Sequence, residues 1–317
     1  MTNKLIVIVG PTASGKSDLA VKLAKKFDGQ VVSADSRQVY KGMDIGSGKI
    51  TKQEMRGITH YLLDVASPRG QFSVARYKKL ATAAIKKIQA ENKIPILCGG
   101  TGQYIQSVID GIVIPKVKPD WKLRNKLSQK TPQQLFAILK KIDPRRAKTI
   151  ERSNPRRLVR AIEIVKKTGQ AVPEPKKQPL PYPFLMVGIK MTRDKIAKRI
   201  SKRLTKRLKS GMIAEVSRLK KSGLSWKKLE SFGLEYKFIA LYLQKKISKT
   251  ALIELIQKES EHYTKRQLTW FLRDERINWV YNYSNAQALA RAYIRRLPIQ
   301  AECDPPRLAN TPKQYFP

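Results

Sequence analysis

The sequence of 317 residues is poor in the residues that build disulfide frameworks and metal sites. It contains two cysteines, Cys98 and Cys303, and two histidines, His60 and His262. These numbers argue against a disulfide framework and are too small for a Cys/His zinc site. Its apolar runs are too short to cross a membrane, and residues 1–10 predict a strand that leads into a glycine loop rather than a signal peptide. We therefore expect a cytoplasmic protein.

The sequence also contains few acidic residues. The chain has 24 Asp and Glu against 65 Lys and Arg, a formal net charge of +41. A cationic excess of this size concentrates polyanions and speeds their capture. A general basic bias of the source organism would give the same composition, so charge alone leaves both interpretations open. With 41% hydrophobic residues, the chain is long enough for one large domain or two smaller ones.

The most specific motif is an octapeptide near the start of the chain. Gly10-Pro11-Thr12-Ala13-Ser14-Gly15-Lys16-Ser17 matches G-x-x-x-x-G-K-[ST] after an apolar run and before a helical pattern. The backbone N–H groups of such a loop and the helix N-terminus bind phosphate oxygens. Lys16 would neutralise terminal phosphate charge, and Ser17 is the candidate ligand for Mg²⁺. The motif predicts a diphosphate or triphosphate ligand without distinguishing the compound.

Strand and helix patterns alternate around this loop. Apolar runs predict strands at 5–9, 31–33, 60–65, 94–98, 184–189 and 278–281. Helical periodicity predicts helices at 17–27, 73–90 and 193–208. This alternation predicts an α/β fold, a P-loop NTPase-like core with a mainly parallel sheet.

A basic segment interrupts the alternation. Residues 116–168 hold 17 Lys and Arg but four Asp and Glu, with apolar residues at helical spacing. We interpret 115–183 as a small helical insertion within a catalytic core formed by 1–114 and 184–296. Residues 297–317 contain five prolines and no periodicity, which predicts a disordered tail.

Asp35 is the candidate catalytic carboxylate. The strand at 94–98 ends in glycines instead of the aspartate typical of a Walker B strand. Asp35 follows the second predicted strand, and the carboxyl ends of parallel strands face the ligand crevice. We interpret Asp35 as a base beside the P-loop, although a cap or turn aspartate would show the same pattern.

Six segments of the chain resemble the tRNA dimethylallyltransferase family. They are residues 10–17, 33–40, 42–46, 99–104, 154–161 and 265–271. The resemblance covers about residues 4–282 and departs from the family pattern mainly at 47–49, 232–237, Glu261 and Leu272. It implies transfer of a dimethylallyl group from dimethylallyl diphosphate to N6 of the tRNA adenosine 3′-adjacent to the anticodon. It also implies Mg²⁺, a monomer, and an inserted domain that binds the anticodon arm.

The resemblance also implies roles for single residues. Asp35 would take the proton of the adenine amine, while the loop amides, Lys16 and Mg²⁺ stabilise the departing diphosphate. Thr101 would hydrogen-bond near the reacting amine or the donor, and Arg199 and Arg203 would approach the diphosphate. A turn hydroxyl at Thr101 and a solvated basic helix face at the two arginines are the alternative interpretations.

The acceptor base must leave its stack to enter an enclosed site. The residues expected to contact this base are Asp35, Ser36, Arg37, Gln38 and Thr101. The residues expected to contact the tRNA backbone are Arg124, Arg156, Arg157 and Arg160. Arginines exposed on a surface without any RNA contact would give the same sequence pattern.

Two other functions are compatible with parts of the sequence. A kinase or prenyltransferase acting on a free adenine nucleotide would need the P-loop, but it would not need the basic insertion. A non-catalytic RNA-binding protein would use the charge and the helices, but it would not need an intact P-loop followed by Asp35.

Overall fold

A computed structural model describes residues 4–113, 115, 117–174, 176–178 and 180–295. The strands are β1 Leu5–Val9, β2 Gly29–Ser33, β3 His60–Tyr61, β4 Ile94–Gly99, β5 Phe184–Ile189 and β6 Ile277–Val280. The helices are α1 Lys16–Lys26, α2 Lys52–Met55, α3 Val74–Ala90, α4 Gly102–Ile109, α5 Trp121–Ser128, α6 Pro132–Ile142, α7 Pro144–Thr149, α8 Pro155–Thr168, α9 Arg193–Lys209, α10 Met212–Lys221, α11 Trp226–Ser231, α12 Leu234–Leu243, α13 Lys249–Phe271 and α14 Tyr283–Arg295. The chain divides into two compact units, Met1–Ile109 with Leu180–Pro317, and Asp110–Pro179.

The first unit is built on a six-stranded sheet in the order β3-β2-β4-β1-β5-β6, and all neighbouring strands are parallel. Strand β1 shows why its sequence is apolar at every position. Leu5, Val7 and Val9 belong to one buried cluster, whereas Ile6 and Ile8 belong to a second. Helix α3 contributes to the first cluster and α1 to the second, so the strand is covered on both faces. The predicted α/β fold with a mainly parallel sheet is confirmed.

One strand prediction was wrong in its length. The run 60–65 was predicted as a strand, but β3 comprises only His60–Tyr61. Leu62 and Asp64 have φ angles of 66° and 56°, a left-handed conformation that cannot continue a strand. The Asp64 carboxylate accepts a hydrogen bond from Lys49 Nζ, which anchors the turn. The ends of the other predicted elements lie within two residues of those observed.

Two other predictions concern membrane-spanning segments and the C-terminal tail. Within the part of the chain that the structure describes, no helix combines the length and apolarity needed to cross a membrane. The predicted tail, 297–317, lies outside the described residues.

The second unit contains the four helices α5 to α8 around its own apolar core, so the predicted helical insertion is present. The core includes Leu127, Leu135, Leu139, Leu158 and Ile162. Each helix begins at a side chain that accepts a hydrogen bond from a backbone N–H, namely Asp120, Thr131, Asp143 and Asn154. The compact unit is Asp110–Pro179, five residues earlier at its start and four at its end than the predicted 115–183. Within it, Gly111 O accepts a 3.3 Å hydrogen bond from Gln178 N, which joins the two connecting segments.

A buried carboxylate ties two helices of this unit together. Glu163 on α8 is fully buried and accepts two hydrogen bonds from the Arg124 guanidinium, each 2.7 Å long. It also accepts hydrogen bonds from Arg160 Nη1 and from Asp120 N. Burial alone would raise the pKa of Glu163, but these hydrogen bonds outweigh it and lower the pKa to about 2.

We expect the stability of the second unit to depend on Glu163 in acid. The folded pKa lies below the usual 4.5, so the stabilisation is fully present above about pH 4.5 and is lost as the pH falls toward 2. The difference corresponds to about 3 kcal/mol. Hydrogen exchange of the α5 and α8 amides, corrected for the intrinsic exchange rate, should report this loss of protection.

The variant Glu163→Gln should lack this acid-dependent step and should be less protected at neutral pH, by about 3 to 5 kcal/mol for a broken buried ion pair. Glu151→Gln is the matched control, because Glu151 is an exposed partner of Arg157. Equal protection in the two variants would contradict a stabilising role for Glu163.

Candidate active site

The glycine loop between β1 and α1 forms a compact turn at the carboxyl edge of the sheet. Gly15 has a φ of 91° and caps α1, which begins at Lys16. Lys16 Nζ donates a 3.1 Å hydrogen bond to Pro11 O, so the side chain folds back over the loop. Burial lowers the pKa of Lys16. A partly buried cation at a helix N-terminus favours an anionic ligand at this position.

A cavity of about 530 Å³ opens beside this loop. Both Lys16 and Asp35 line it, together with Ser17, Arg199 and Arg203. The predicted base and the predicted phosphate-binding lysine therefore face one space. Other predicted residues also line the cavity, namely Thr12, Ala13, Gly15 and Gln38. The predicted loop and base-contacting residues that are not among its described lining residues are Gly10, Pro11, Ser14, Ser36, Arg37 and Thr101.

Asp35 lies in a short turn after β2. Its Oδ1 accepts hydrogen bonds from Arg37 N at 2.8 Å and from Gln38 N at 3.4 Å. Thr101 Oγ1 accepts a 3.0 Å hydrogen bond from Ser36 N. Thr101 therefore helps to hold the turn that contains Asp35. Asp35 both stabilises this turn and lines the cavity, so the two interpretations of Asp35 are compatible.

The two predicted diphosphate-binding arginines lie on α9 at the cavity wall. Arg199 Nη1 donates hydrogen bonds to Ala13 O at 3.4 Å and to Ser14 O at 3.2 Å. Burial and the neighbouring cation of Arg207 lower the pKa of Arg203 to about 10. Arg207 itself is paired with Glu235 at 3.0 Å. Both arginines line the cavity, but their exposure differs: Arg203 is half-buried, whereas Arg199 is exposed and contacts the glycine loop through its Nη1.

The segment after Tyr40 forms another part of the cavity wall, and its residue Gly48 has a left-handed backbone conformation. Gly48 has a φ of 61°, and a Cβ there would lie 1.6 Å from Arg207 Nη2. Gln38 Nε2 donates a 3.2 Å hydrogen bond to Gly48 O. The left-handed φ angle favours glycine here, and a larger residue would have to displace the flexible end of the Arg207 side chain.

Sequence reasoning missed the residue that anchors this segment. Glu215 on α10 is buried and accepts hydrogen bonds from the backbone N–H groups of Asp44, Ile45 and Gly46, at 2.9, 2.7 and 3.0 Å. Tyr236 Oη donates a fourth at 2.9 Å. The available signal was a carboxylate within the buried stripe of α10, which otherwise holds Met212, Val216 and Leu219.

Gln267 was also missed. Its Oε1 accepts a 2.8 Å hydrogen bond from Thr12 N in the glycine loop, and its Nε2 donates a 2.8 Å hydrogen bond to Gly100 O. It lies on the buried face of α13, where Ser260 and Thr264 are also polar. Three and four residues further along α13, Trp270 packs against the core and Phe271 is buried.

The predicted RNA-contacting arginines have different surroundings. Within the second unit, Arg124 and Arg160 are ion-paired with Glu163. Arg157 pairs with Glu151 at 3.4 Å and its side chain is half exposed, while Arg156 is exposed. In the first unit, Arg37 lies against Gly233, where a Cβ would be 3.5 Å from its Nε.

The fold and the cavity define a P-loop protein in which the lysine of the loop, Lys16, and a carboxylate, Asp35, line one cavity. A family model described as IPP transferase matches residues 38–274. The tRNA dimethylallyltransferase of Acetivibrio thermocellus is 40% identical over 286 residues, 88% of this chain and 91% of the relative. That of Carboxydothermus hydrogenoformans is 43% identical over 287 residues, 88% and 92% of the two chains. The chain belongs to the IPP transferase family, as the sequence resemblance predicted.

Solved structures agree with this assignment. The tRNA isopentenylpyrophosphate transferase of Bacillus halodurans matches with a TM-score of 0.69 and 36% identity, over 92% of this chain and 96% of that one. A eukaryotic dimethylallyltransferase acting on tRNA matches with a TM-score of 0.79 and 27% identity, over 94% and 81%. The P-loop core is therefore shared with transferases of this family.

Proposed function

We propose that the protein transfers a dimethylallyl group from dimethylallyl diphosphate to N6 of the adenosine 3′-adjacent to the anticodon in tRNA. The observation that carries this proposal is the common cavity of Lys16 and Asp35. The Lys16 cation suits a diphosphate leaving group, and the Asp35 carboxylate suits an amine that must lose a proton. Membership of the IPP transferase family supports the choice of substrates.

The acceptor nitrogen is a weak nucleophile, because its lone pair is delocalised into the adenine ring. The new bond forms between N6 and the allylic carbon as the bond from that carbon to the diphosphate oxygen breaks. Asp35 removes one N6 proton as the nitrogen becomes positive. The Asp35 turn is held by the hydrogen bonds of Arg37 N and Thr101, and Asp35 lines the cavity.

The diphosphate gains negative charge as it leaves. We assign its stabilisation to Lys16, the amides at the start of α1, Arg199 and Arg203. The Ser14 hydroxyl oxygen of the same loop is buried, and no described residue gives it a hydrogen-bond partner, which leaves the hydroxyl able to donate to an anion bound by the loop. The P-loop would thus hold a leaving group and not transfer a phosphoryl group.

The oxygen-rich cavity wall also fits Mg²⁺. Ser17 is the proposed protein ligand, and Asp35 and Glu54 line the same cavity. Among the described residues, no cluster of three or more His, Cys, Asp or Glu could hold a metal by itself. Mg²⁺ commonly binds through one or two protein oxygens together with substrate phosphates, so a site of this kind needs no such cluster. The ion would supply positive charge to the diphosphate.

For tRNA, we propose base contacts from Ser36, Arg37, Gln38 and Thr101, and backbone contacts from the arginines of the second unit. Arg156 and Arg157 present exposed guanidinium groups to phosphates. Arg124 and Arg160 are ion-paired with Glu163, and Arg160 Nη2 also donates to Val117 O, so we assign them a smaller share of the RNA contacts. All these residues belong to one chain, which is compatible with a monomer.

The proposal is tested by incubating the protein with Mg²⁺, radiolabelled dimethylallyl diphosphate and one of three acceptors. They are a tRNA with adenosine next to the anticodon, the same tRNA with guanosine there, and AMP. We expect label only in the first. Label in AMP alone would identify an enzyme acting on free nucleotides, and no label in any acceptor would favour a non-catalytic RNA-binding protein.

A further inference from the structure

We propose that Gln267 is a positioning residue that fixes the distance between the diphosphate-binding loop and the acceptor-binding turn. The inference rests on the proposed function and concerns the same cavity. Gln267 lies on α13, 255 residues from Thr12 and 167 residues from Gly100. It is therefore a tertiary link between segments that the sequence separates widely.

The contacts of Gln267 lead toward Lys16 on one side and toward Asp35 on the other. Thr12 belongs to the glycine loop, four residues before Lys16. Gly100 precedes Thr101, whose N–H donates to Ala34 O and whose hydroxyl oxygen accepts from Ser36 N. Gln267 thus joins the loop that carries Lys16 to the two segments that flank Asp35.

The geometry requires an amide at this position. Thr12 N–H needs an acceptor and the Gly100 carbonyl needs a donor, which fixes the orientation of the Gln267 amide. A Cβ on residue 100 would lie 2.4 Å from Gln267 Nε2, so the glycine makes room for the bond. Gln267 is 7% exposed, and a buried group with both hydrogen bonds satisfied is held rigidly.

This rigidity matters because the reaction joins two substrates. Each half of the cavity could bind its own substrate without Gln267, but the allylic carbon and N6 must approach within bonding reach of each other. A displacement of about 1 Å between the two halves can cost about 10²-fold in rate. The link should therefore affect kcat more than either KM.

The first variant is Gln267→Met, which keeps the length of the side chain and removes both hydrogen bonds. We expect kcat to fall by about 10²-fold, with smaller changes in KM for tRNA and for dimethylallyl diphosphate. Thr264→Val is the matched control, because Thr264 lies on the same buried face and its hydroxyl has no hydrogen-bond partner among the described residues. Its kcat should equal that of the unaltered protein.

The second variant is Gln267→Glu, which provides a readout that loss of stability cannot imitate. A neutral carboxyl can accept from Thr12 N and donate to Gly100 O, whereas a carboxylate has no proton to donate. The nearby Lys16 cation favours the carboxylate at neutral pH. The kcat of Gln267→Glu, divided by that of the unaltered protein, should therefore rise as the pH falls from about 8 to about 5.

The outcomes separate this inference from the proposed function. If the unaltered protein labels tRNA but Gln267→Met keeps its kcat, the positioning role is rejected and the function stands. If Gln267→Met does not fold, the pH dependence of Gln267→Glu decides, and a ratio that does not change with pH rejects the role. If the unaltered protein labels no tRNA, the proposed function itself fails.

Discussion

Replacing Asp35 with asparagine is expected to lower the rate of dimethylallyl transfer by about 10² to 10⁴-fold, the usual contribution of a general base. Asparagine keeps an oxygen that can accept from Arg37 N and Gln38 N, so the turn should be preserved. It cannot take the proton of the acceptor amine. Single-turnover measurements with labelled dimethylallyl diphosphate report the chemical step directly, and filter binding reports the affinity for tRNA, which should change little.

Asp28→Asn is the charge-matched control for this experiment. Asp28 is exposed at the end of α1 and has a φ of 46°, a left-handed conformation that asparagine tolerates. Its transfer rate should equal that of the unaltered protein. A transfer rate that survives Asp35→Asn would remove Asp35 from the role of base and leave its turn as its only function.

Replacing Lys16 with methionine is expected to lower kcat/KM for dimethylallyl diphosphate by about 10² to 10³-fold, as for the loss of one preorganised group that stabilises a developing anion. Methionine keeps most of the aliphatic stem but has no charge. Because burial already disfavours the Lys16 cation, its removal should not lower the melting temperature of the protein. Steady-state kinetics with varied dimethylallyl diphosphate, together with thermal unfolding, test both statements.

Lys25→Met serves as the comparison, because Lys25 lies on the same helix but is exposed. It removes the same charge and should leave kcat/KM unchanged. Equal losses in the two variants would mean that the net charge of the protein, and not the cradle around Lys16, captures the donor.

The two variants address opposite sides of one reaction. In the proposed mechanism, Lys16 acts on the bond that breaks, and Asp35 accepts the proton released as the new bond forms. A P-loop used in this way stabilises a departing diphosphate, so a Walker B carboxylate at the end of β4 is not needed. The glycine at the end of β4 has a steric reason. A Cβ on Gly99 would lie 2.1 Å from Ala34 O, because the end of β4 lies directly beside the segment that carries Asp35.

Much of the fold follows from local sequence patterns. The apolar run in β1 and the helical stripes of α3 and α9 predicted these elements closely, because burial on one or two faces imposes a period on the sequence. The run 60–65 failed because apolarity does not reveal a left-handed turn anchored by a distant lysine. The hydrogen bond from Lys49 to Asp64 joins residues 15 positions apart, and no local pattern indicates it.

By itself, the sequence determined the phosphate-binding loop, the position of Asp35 at a strand end and the membership of a family. These are local features, since the backbone geometry of a P-loop and the edge of a parallel sheet follow from neighbouring residues. Only the tertiary structure decided that Gln267 joins Thr12 to Gly100, that Glu215 holds the backbone of Asp44 to Gly46, and that Glu163 takes up two arginines. Helical periodicity shows which face of a helix is buried but not what it meets, because the partners of a buried polar side chain are brought together by the packing of segments far apart in the chain.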